Sequence, residues 1–144
     1  MTIVELNEIQ FRNYSRLHSS RNYLQTVEYA NMQKIYGFDV SYVGLVDVDD
    51  KLLAATMIIN RKVFSKFLYG ISPGGFLIDY NNYDLLKTFV KQLKKYLFKN
   101  DYIYLQVEPR CIINSANKKM GTVYSATSII NNIKNLGGIF VENN

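Results

Sequence analysis

The sequence predicts an α/β (α+β) fold: a mixed, largely antiparallel sheet with helices on both faces. Three observations predict it. Apolar runs over 40–46 and 52–60 flank the polar stretch Asp47-Val-Asp-Asp-Lys51, the pattern of an antiparallel hairpin. Leu85, Leu86, Phe89, Val90, Leu93, Tyr96 and Leu97 recur at spacings of one, three and four, which marks one wide helical stripe. A strand-like run over 102–107 follows directly, and strand–helix–strand after a hairpin-rich block is the order of a mixed sheet with helices packed on it.

In chain order, residues 2–6 read as a short opening strand. Asn7 caps a helix that runs to about Leu17, with Ile9, Tyr14 and Leu17 among its apolar positions. His18-Ser-Ser-Arg-Asn22 breaks it. Thr26 caps the next helix, which Val27, Ala30 and Ile35 carry to Gly37. The hairpin of 40–46 and 52–60 comes next, then a third strand over 67–71. Asp84 opens the long helix, where a carboxylate opposes the helix dipole favourably, and the lysines take the face away from the apolar stripe. The strand over 102–107 is expected to be buried, and Glu108-Pro109 ends it. Residues 114–120 read as a polar loop. A last helix carries Ala126, Ile129, Ile130 and Ile133 on one face, Gly137-Gly138 ends it, and 139–141 begin a strand. The expected order is β-α-α-β-β-β-α-β-α-β, without internal repeat or low-complexity linker, and residues 1–144 read as one domain.

Bulk properties narrow the function. Hydrophobic residues make up 48% of the chain, enough for a core and too many for a disordered protein. No apolar run approaches the ~18 residues that span a bilayer, and no secretory leader opens the chain. The single cysteine, Cys111, has no internal partner, so the expected compartment is the cytoplasm. The formal net charge of +5 favours an anionic partner such as nucleic acid, phosphate or a membrane face. Lys87, Lys91, Lys94, Lys95 and Lys99 concentrate that charge on one helix. They read either as a phosphate footprint or as a solvated helix face. Twelve tyrosines and no tryptophan suit a core whose rim carries hydroxyl groups.

The stretch Tyr69-Gly-Ile-Ser-Pro-Gly-Gly-Phe-Leu-Ile-Asp-Tyr80 carries the strongest local signal. Gly74 and Gly75 permit backbone angles and close approaches that a Cβ forbids, and Pro73 fixes φ and withholds an amide donor. It reads as a plain strand-to-strand turn, or as a turn where a ligand meets the main chain. Other chemistries find little support. His18 is the only histidine and lies in a polar break, and no histidine is placed to activate Cys111. No Cys/His cluster has zinc spacing, no phosphate-loop signature occurs, and Asp47, Asp49 and Asp50 form a hairpin tip too short for a calcium loop.

Four patterns, in order along nearly the whole chain, resemble the Fem family of peptidoglycan-bridge aminoacyltransferases. Tyr23-Leu-Gln-Thr-Val-Glu-Tyr29 resembles "Q-S-x-x-W", with Tyr29 at the usual Trp. Gly44 through Ala55 is similar to a "D-x-G-x-x-x-A-A" hairpin. Ile71-Ser-Pro-Gly-Gly-Phe-Leu-Ile-Asp79 resembles "Y-I-P-R-G-P-V-L-D", and Leu105-Gln-Val-Glu-Pro109 resembles "L-R-F-D-P". The segment 129–140 is similar to the short helix that leads into "L-G-F". The resemblance implies a GNAT-like (acetyltransferase-like) fold, and only the first of the family's two such subdomains. The partner expected for it is a second GNAT-like half or a further copy of the chain.

The resemblance also implies chemistry. An aminoacyl group passes from aminoacyl-tRNA, the co-substrate, to an amine of a peptidoglycan precursor, with no other cofactor, no metal and no integral membrane segment. The setting is cytoplasmic, peripheral at the inner membrane face. An ester becomes an amide, so the demands are proton removal, oxyanion stabilisation and positioning. Glu108 aligns with the family's Asp-Pro acid and is the candidate general base; alternatively it caps the turn at Pro109 or pairs with Arg110. Ser72, Gly74 and Gly75 are candidate substrate contacts, their amides either oxyanion donors or tied up in the turn. Gly74 replaces a residue that is commonly basic in the family. The family's helix lysine falls at Gln33, with Lys34 beside it, and both are candidate precursor contacts. Lys87, Lys91, Lys94 and Lys95 are the candidate tRNA or phosphate contacts. Two other readings stand: a coenzyme-A-dependent N-acetyltransferase, although no [RQ]-x-x-G-x-[GA] turn is present, and a non-catalytic half-domain that binds precursor or tRNA.

Overall fold

The computed structural model describes residues 1–109. Its elements are β1 (Thr2–Glu5), α1 (Glu8–Leu17), α2 (Val27–Ile35), β2 (Asp39–Val46), β3 (Leu52–Val63), β4 (Phe67–Gly74), α3 (Tyr83–Lys99) and β5 (Tyr102–Pro109). They follow the expected order as far as β5. The expected last helix and final strand, together with Cys111, Lys118 and Lys119, lie outside the described residues.

The strands form one sheet in the order β1-β2-β3-β4-β5. The first four pair antiparallel, and β4 pairs parallel with β5. α3 makes the crossover between that parallel pair, so its N-terminus sits where β4 ends. The helices divide between the faces. Phe11 of α1 and Val27 and Ala30 of α2 pack with Tyr42, Ala55, Met57, Ile59 and Leu77. Leu86, Phe89 and Leu93 of α3 pack on the other face with Val43, Leu45, Ala54 and Ile58. No described helix is long and apolar enough to cross a membrane.

The helix starts obey local chemistry. Asn7 Oδ1 accepts from the Gln10 N–H at 2.8 Å, and the Gln10 side chain accepts from the Asn7 N–H at 2.9 Å, a complete capping box. Thr26 caps α2, and Asn82 caps α3 ahead of Asp84 in its first turn. Asp47 Oδ1 ties the β2–β3 tip by accepting from the Asp49 and Lys51 amides.

Four expectations change. In α1 the buried positions are Phe11 and Ser15, while Ile9 and Leu17 are 71% and 85% exposed. Phe11, Tyr14 and Ser15, three and four apart, form the face that reaches the sheet. Ile35 ends α2 in solvent rather than in the core. β3 runs on to Val63, making a tight hairpin with β4, and β4 extends through Ser72 and Pro73 to Gly74. β5 is half-buried rather than buried. Tyr102, Leu105 and Val107 pack toward α3, but Ile103 and Tyr104 are each 52% exposed, because α1 and α2 cover β2 and β3 instead.

Candidate functional site

The site begins with a defect that Pro73 builds into the sheet. β3 and β4 pair from Val63↔Phe67 to Ile59↔Ile71. Continuing that register would set Met57 against Pro73, which has no N–H to offer. The Gln25 side chain fills the gap. Its Nε2 donates to the Pro73 carbonyl at 2.7 Å and to the Met57 carbonyl at 3.3 Å, and its Oε1 accepts from the Met57 N–H at 2.8 Å. Gln25 is wholly buried, and its amide acts as a peptide group spliced between two strands. Behind it the Thr56 and Ser72 hydroxyls meet at 2.5 Å. The chain rejoins β3 at Leu77, which exchanges both backbone hydrogen bonds with Ala55.

The detour between Pro73 and Leu77 is the glycine corner. Gly74 and Gly75 take φ of 73° and 79°, the left-handed region that glycine enters without strain. A Cβ on Gly74 would overlap the Asn22 side chain, so the close approach that Gly74 allows is made by Asn22. Asn22 Nδ2 donates to the Gly74 carbonyl at 3.3 Å and to the Ser20 carbonyl at 3.2 Å. The corner amides are engaged: Gly75 N–H with the Ser72 carbonyl, Phe76 N–H with the Tyr80 hydroxyl at 2.6 Å, and Leu77 N–H with the Ala55 carbonyl. Ser72 through Ile78 are all buried.

Glu108 stands beside this corner. In the parallel pair, Pro73 is opposite Glu108 and Gly74 opposite Pro109, so the predicted base and the predicted turn share one end of the sheet. Glu108 is exposed, and its carboxylate accepts from Gln106 Nε2 at 2.8 Å. Alternation along β5 puts Tyr104, Gln106 and Glu108 on the side away from α3. There Tyr104 stacks on Tyr69 with ring centroids 5.4 Å apart. Gln33 and Lys34 lie on α2, on this same side, toward the end of the helix remote from Glu108. Lys34 Nζ sits 5.8 Å from the Tyr42 ring centre, and the buried Tyr42 hydroxyl has no hydrogen-bond partner among the described residues. Lys87, Lys91, Lys94 and Lys95 are exposed on α3, a layer away across the sheet. The sheet end therefore unites Ser72, Gly74, Gly75 and Glu108, and separates them from the lysine stripe.

Other groups flank the corner. A groove of about 290 Å³ is lined by Ser15, Arg16, Arg21, Asn22, Tyr23 and Thr26, closed by Glu28. Glu28 pairs with Arg12 and Arg16 at 3.7 and 3.6 Å. A larger groove of about 640 Å³ lies between α1 and β1, away from Glu108. His18 Nδ1 accepts from the Ser20 N–H at 2.9 Å. Burial holds its imidazole below the usual histidine pKa, with Asp79 pulling weakly the other way. Among the described residues no group of three or more His, Cys, Asp or Glu could hold a metal ion.

Asn22, Gln25 and Tyr80 hold the corner, and sequence reasoning assigned none of them a role. The available signal was Pro73, which shows that a buried carbonyl and a neighbouring strand need an outside partner. It does not say that residue 25 supplies it.

A sheet with α1 and α2 on one side, α3 on the other, and a parallel β4–β5 pair ending at a built corner is the GNAT-like acyltransferase architecture. The crystal structure of FemX matches it with a TM-score of 0.71 at 17% identity, over 95% of this chain and 32% of that one. The FemAB family model matches residues 6–141, and the chain belongs to that family. "Aminoacyltransferase FemA" of Staphylococcus aureus, strains MW2 and COL among others, is 27% identical over 109 residues. That stretch is 76% of this chain and 26% of the FemA protein, so the chain matches about a quarter of those relatives' length.

Proposed function

We propose that this chain supplies one half of an aminoacyl-transfer site that moves an amino acid from aminoacyl-tRNA to an amine of a peptidoglycan precursor. The observation that carries the reading is the register Pro73↔Glu108, which sets an exposed carboxylate beside the buried corner that Gln25 ties together. FemAB membership supports the reaction class. Glu108 takes the proton from the attacking ammonium, and Gln106 orients its carboxylate. The amides of residues 75–77 are already bonded within the fold, which favours a positioning role for the corner over an oxyanion hole. Ser72 meets Thr56 behind the corner and shapes it.

Gln33 and Lys34 face the precursor, with Lys34 offering an exposed cation beside the Tyr42 ring. Lys87, Lys91, Lys94 and Lys95 hold tRNA phosphates on the outer layer. A second GNAT-like half, or another copy of the chain, completes the cleft. The work is cytoplasmic and needs no cofactor beyond the charged tRNA.

The test supplies this chain with a second family half in trans, and follows labelled amino acid from charged tRNA into precursor. Transfer that requires this chain supports the reading. A thermal upshift with acetyl-coenzyme A and none with charged tRNA would replace it with the acetyltransferase reading. Charge reversal at Lys91, Lys94 and Lys95 should weaken tRNA binding, and that binding should fall steeply with salt; salt-insensitive affinity would reduce the stripe to a solvated face.

A further inference from the structure

The end of the sheet opposite Glu108 has a different character. β3 and β4 project there as a tight hairpin, Val63 paired with Phe67, three residues past the start of β2 at Asp39↔Asn60. At its tip Phe64 is 82% exposed and holds φ of 59°, a backbone state that bulky side chains rarely adopt. The α3 terminus arrives at the same end, since the Leu68 N–H donates to the Asp101 carbonyl at 2.9 Å. Phe98 there is 85% exposed. The α2 terminus arrives by way of Phe38, whose ring lies 4.2 Å under the Arg61 guanidinium, and it leaves Tyr36 70% exposed.

Cations ring these side chains. Arg61, Lys62, Lys66 and Lys99 are exposed at this end, against Asp39 and Asp101. The β2–β3 tip at the opposite end carries Asp47, Asp49 and Asp50 with one lysine, Lys51. Large apolar groups on separate projecting tips, amid basic residues, fit a soft apolar layer under a negative surface. A folded protein partner would need a pocket for each tip. A nucleic-acid duplex would use the cations and leave the phenylalanines in water, since its bases are already stacked.

We infer that this hairpin end is a docking surface for an anionic lipid bilayer, with Phe64 and Phe98 entering the headgroup boundary and Lys62, Lys66 and Lys99 meeting lipid phosphates. Contact orients the protein with Glu108 facing away from the membrane. The inference deepens the membrane-face setting that the family resemblance implies by naming the surface that makes the contact, and it needs no catalytic activity to be tested.

The chain contains no tryptophan, so a Phe64→Trp variant reports from one position. Its emission should shift to the blue, and be quenched by brominated lipid, with vesicles of phosphatidylcholine mixed with phosphatidylglycerol. Phosphatidylcholine vesicles alone should have little effect. A Val48→Trp variant at the acidic tip should not respond. Replacing Lys62 and Lys66 together by Gln should lower vesicle partitioning about 25-fold at low salt, roughly fivefold per cation. Three results would each overturn the inference: a silent Phe64→Trp variant, an equal response from the Val48→Trp variant, or a Phe64→Trp response to RNA but not to vesicles. Both tips are solvent-exposed, and matching far-ultraviolet circular dichroism confirms that the variants are folded.

Discussion

The two ends of the β3–β4 pair contrast. At the hairpin end the backbones pair with each other to the last residue, and the side chains go out to solvent. At the corner end Pro73 stops the ladder, and side chains from the connection between α1 and α2 are drawn in to finish it. A strand that can complete its own hydrogen bonds leaves its side chains free for a partner. A strand that cannot must import partners from far along the chain, and those partners hold the corner in one conformation.

Removing Gln25 should break this contrast most sharply. Gln25→Ala leaves the Met57 N–H and the Pro73 carbonyl buried without that partner, each costing about 1–3 kcal/mol, while the Met57 carbonyl keeps its bond from the Thr56 hydroxyl. A loss of about 3 kcal/mol or more is expected in urea unfolding; a loss under about 1 kcal/mol would mean that water replaces the amide. Gly74→Ala should cost about 2 kcal/mol, from its positive φ and from the tethered Asn22. Combined with Asn22→Ala, the overlap is relieved and the φ cost stays, so the pair should be less than additive. Full additivity would remove Asn22 from the explanation.

The hairpin end should answer with the opposite sign. Phe64→Gly relieves a left-handed φ at an exposed position and should stabilise by about 1 kcal/mol, read by the same unfolding curve. Destabilisation would show that Phe64 packs against something essential to the fold. The smallest effect concerns His18. Its folded pKa lies below the unfolded value of 6.5, so the unfolded chain takes up a proton first. Stability is complete above that value and declines as pH falls from 6.5 through the lowered folded pKa. His18→Asn should flatten this slope, and an unchanged slope would assign it to other groups.

How much of this was legible in the sequence follows from the range of the interactions. The caps at Asn7 and Thr26 and the Asp47 tip act within a few residues, and the residue types announce them, whereas α3, expected to open at Asp84, takes its cap from Asn82 instead. The α3 stripe was readable because seven apolar positions repeat a period. The α1 stripe was not, because Ile9 and Leu17 are apolar yet face solvent, and Ser15 is polar yet buried. At the site, Glu108 and the glycines were visible as Glu-Pro and Pro-Gly-Gly. Their adjacency depends on the parallel register across α3. Gln25 and Asn22 stayed hidden because their partners lie 32 to 52 residues away.

The central claim is that the carboxylate at the end of β5 performs proton transfer beside the corner at the end of β4. Glu108→Gln keeps the size of the side chain and removes its basicity together with its charge. In the two-half transfer assay it should lower the rate by about 10²-fold or more, with charged-tRNA affinity unchanged. A loss under about threefold would contradict the account, since general-base catalysis typically contributes about 10²-fold or more.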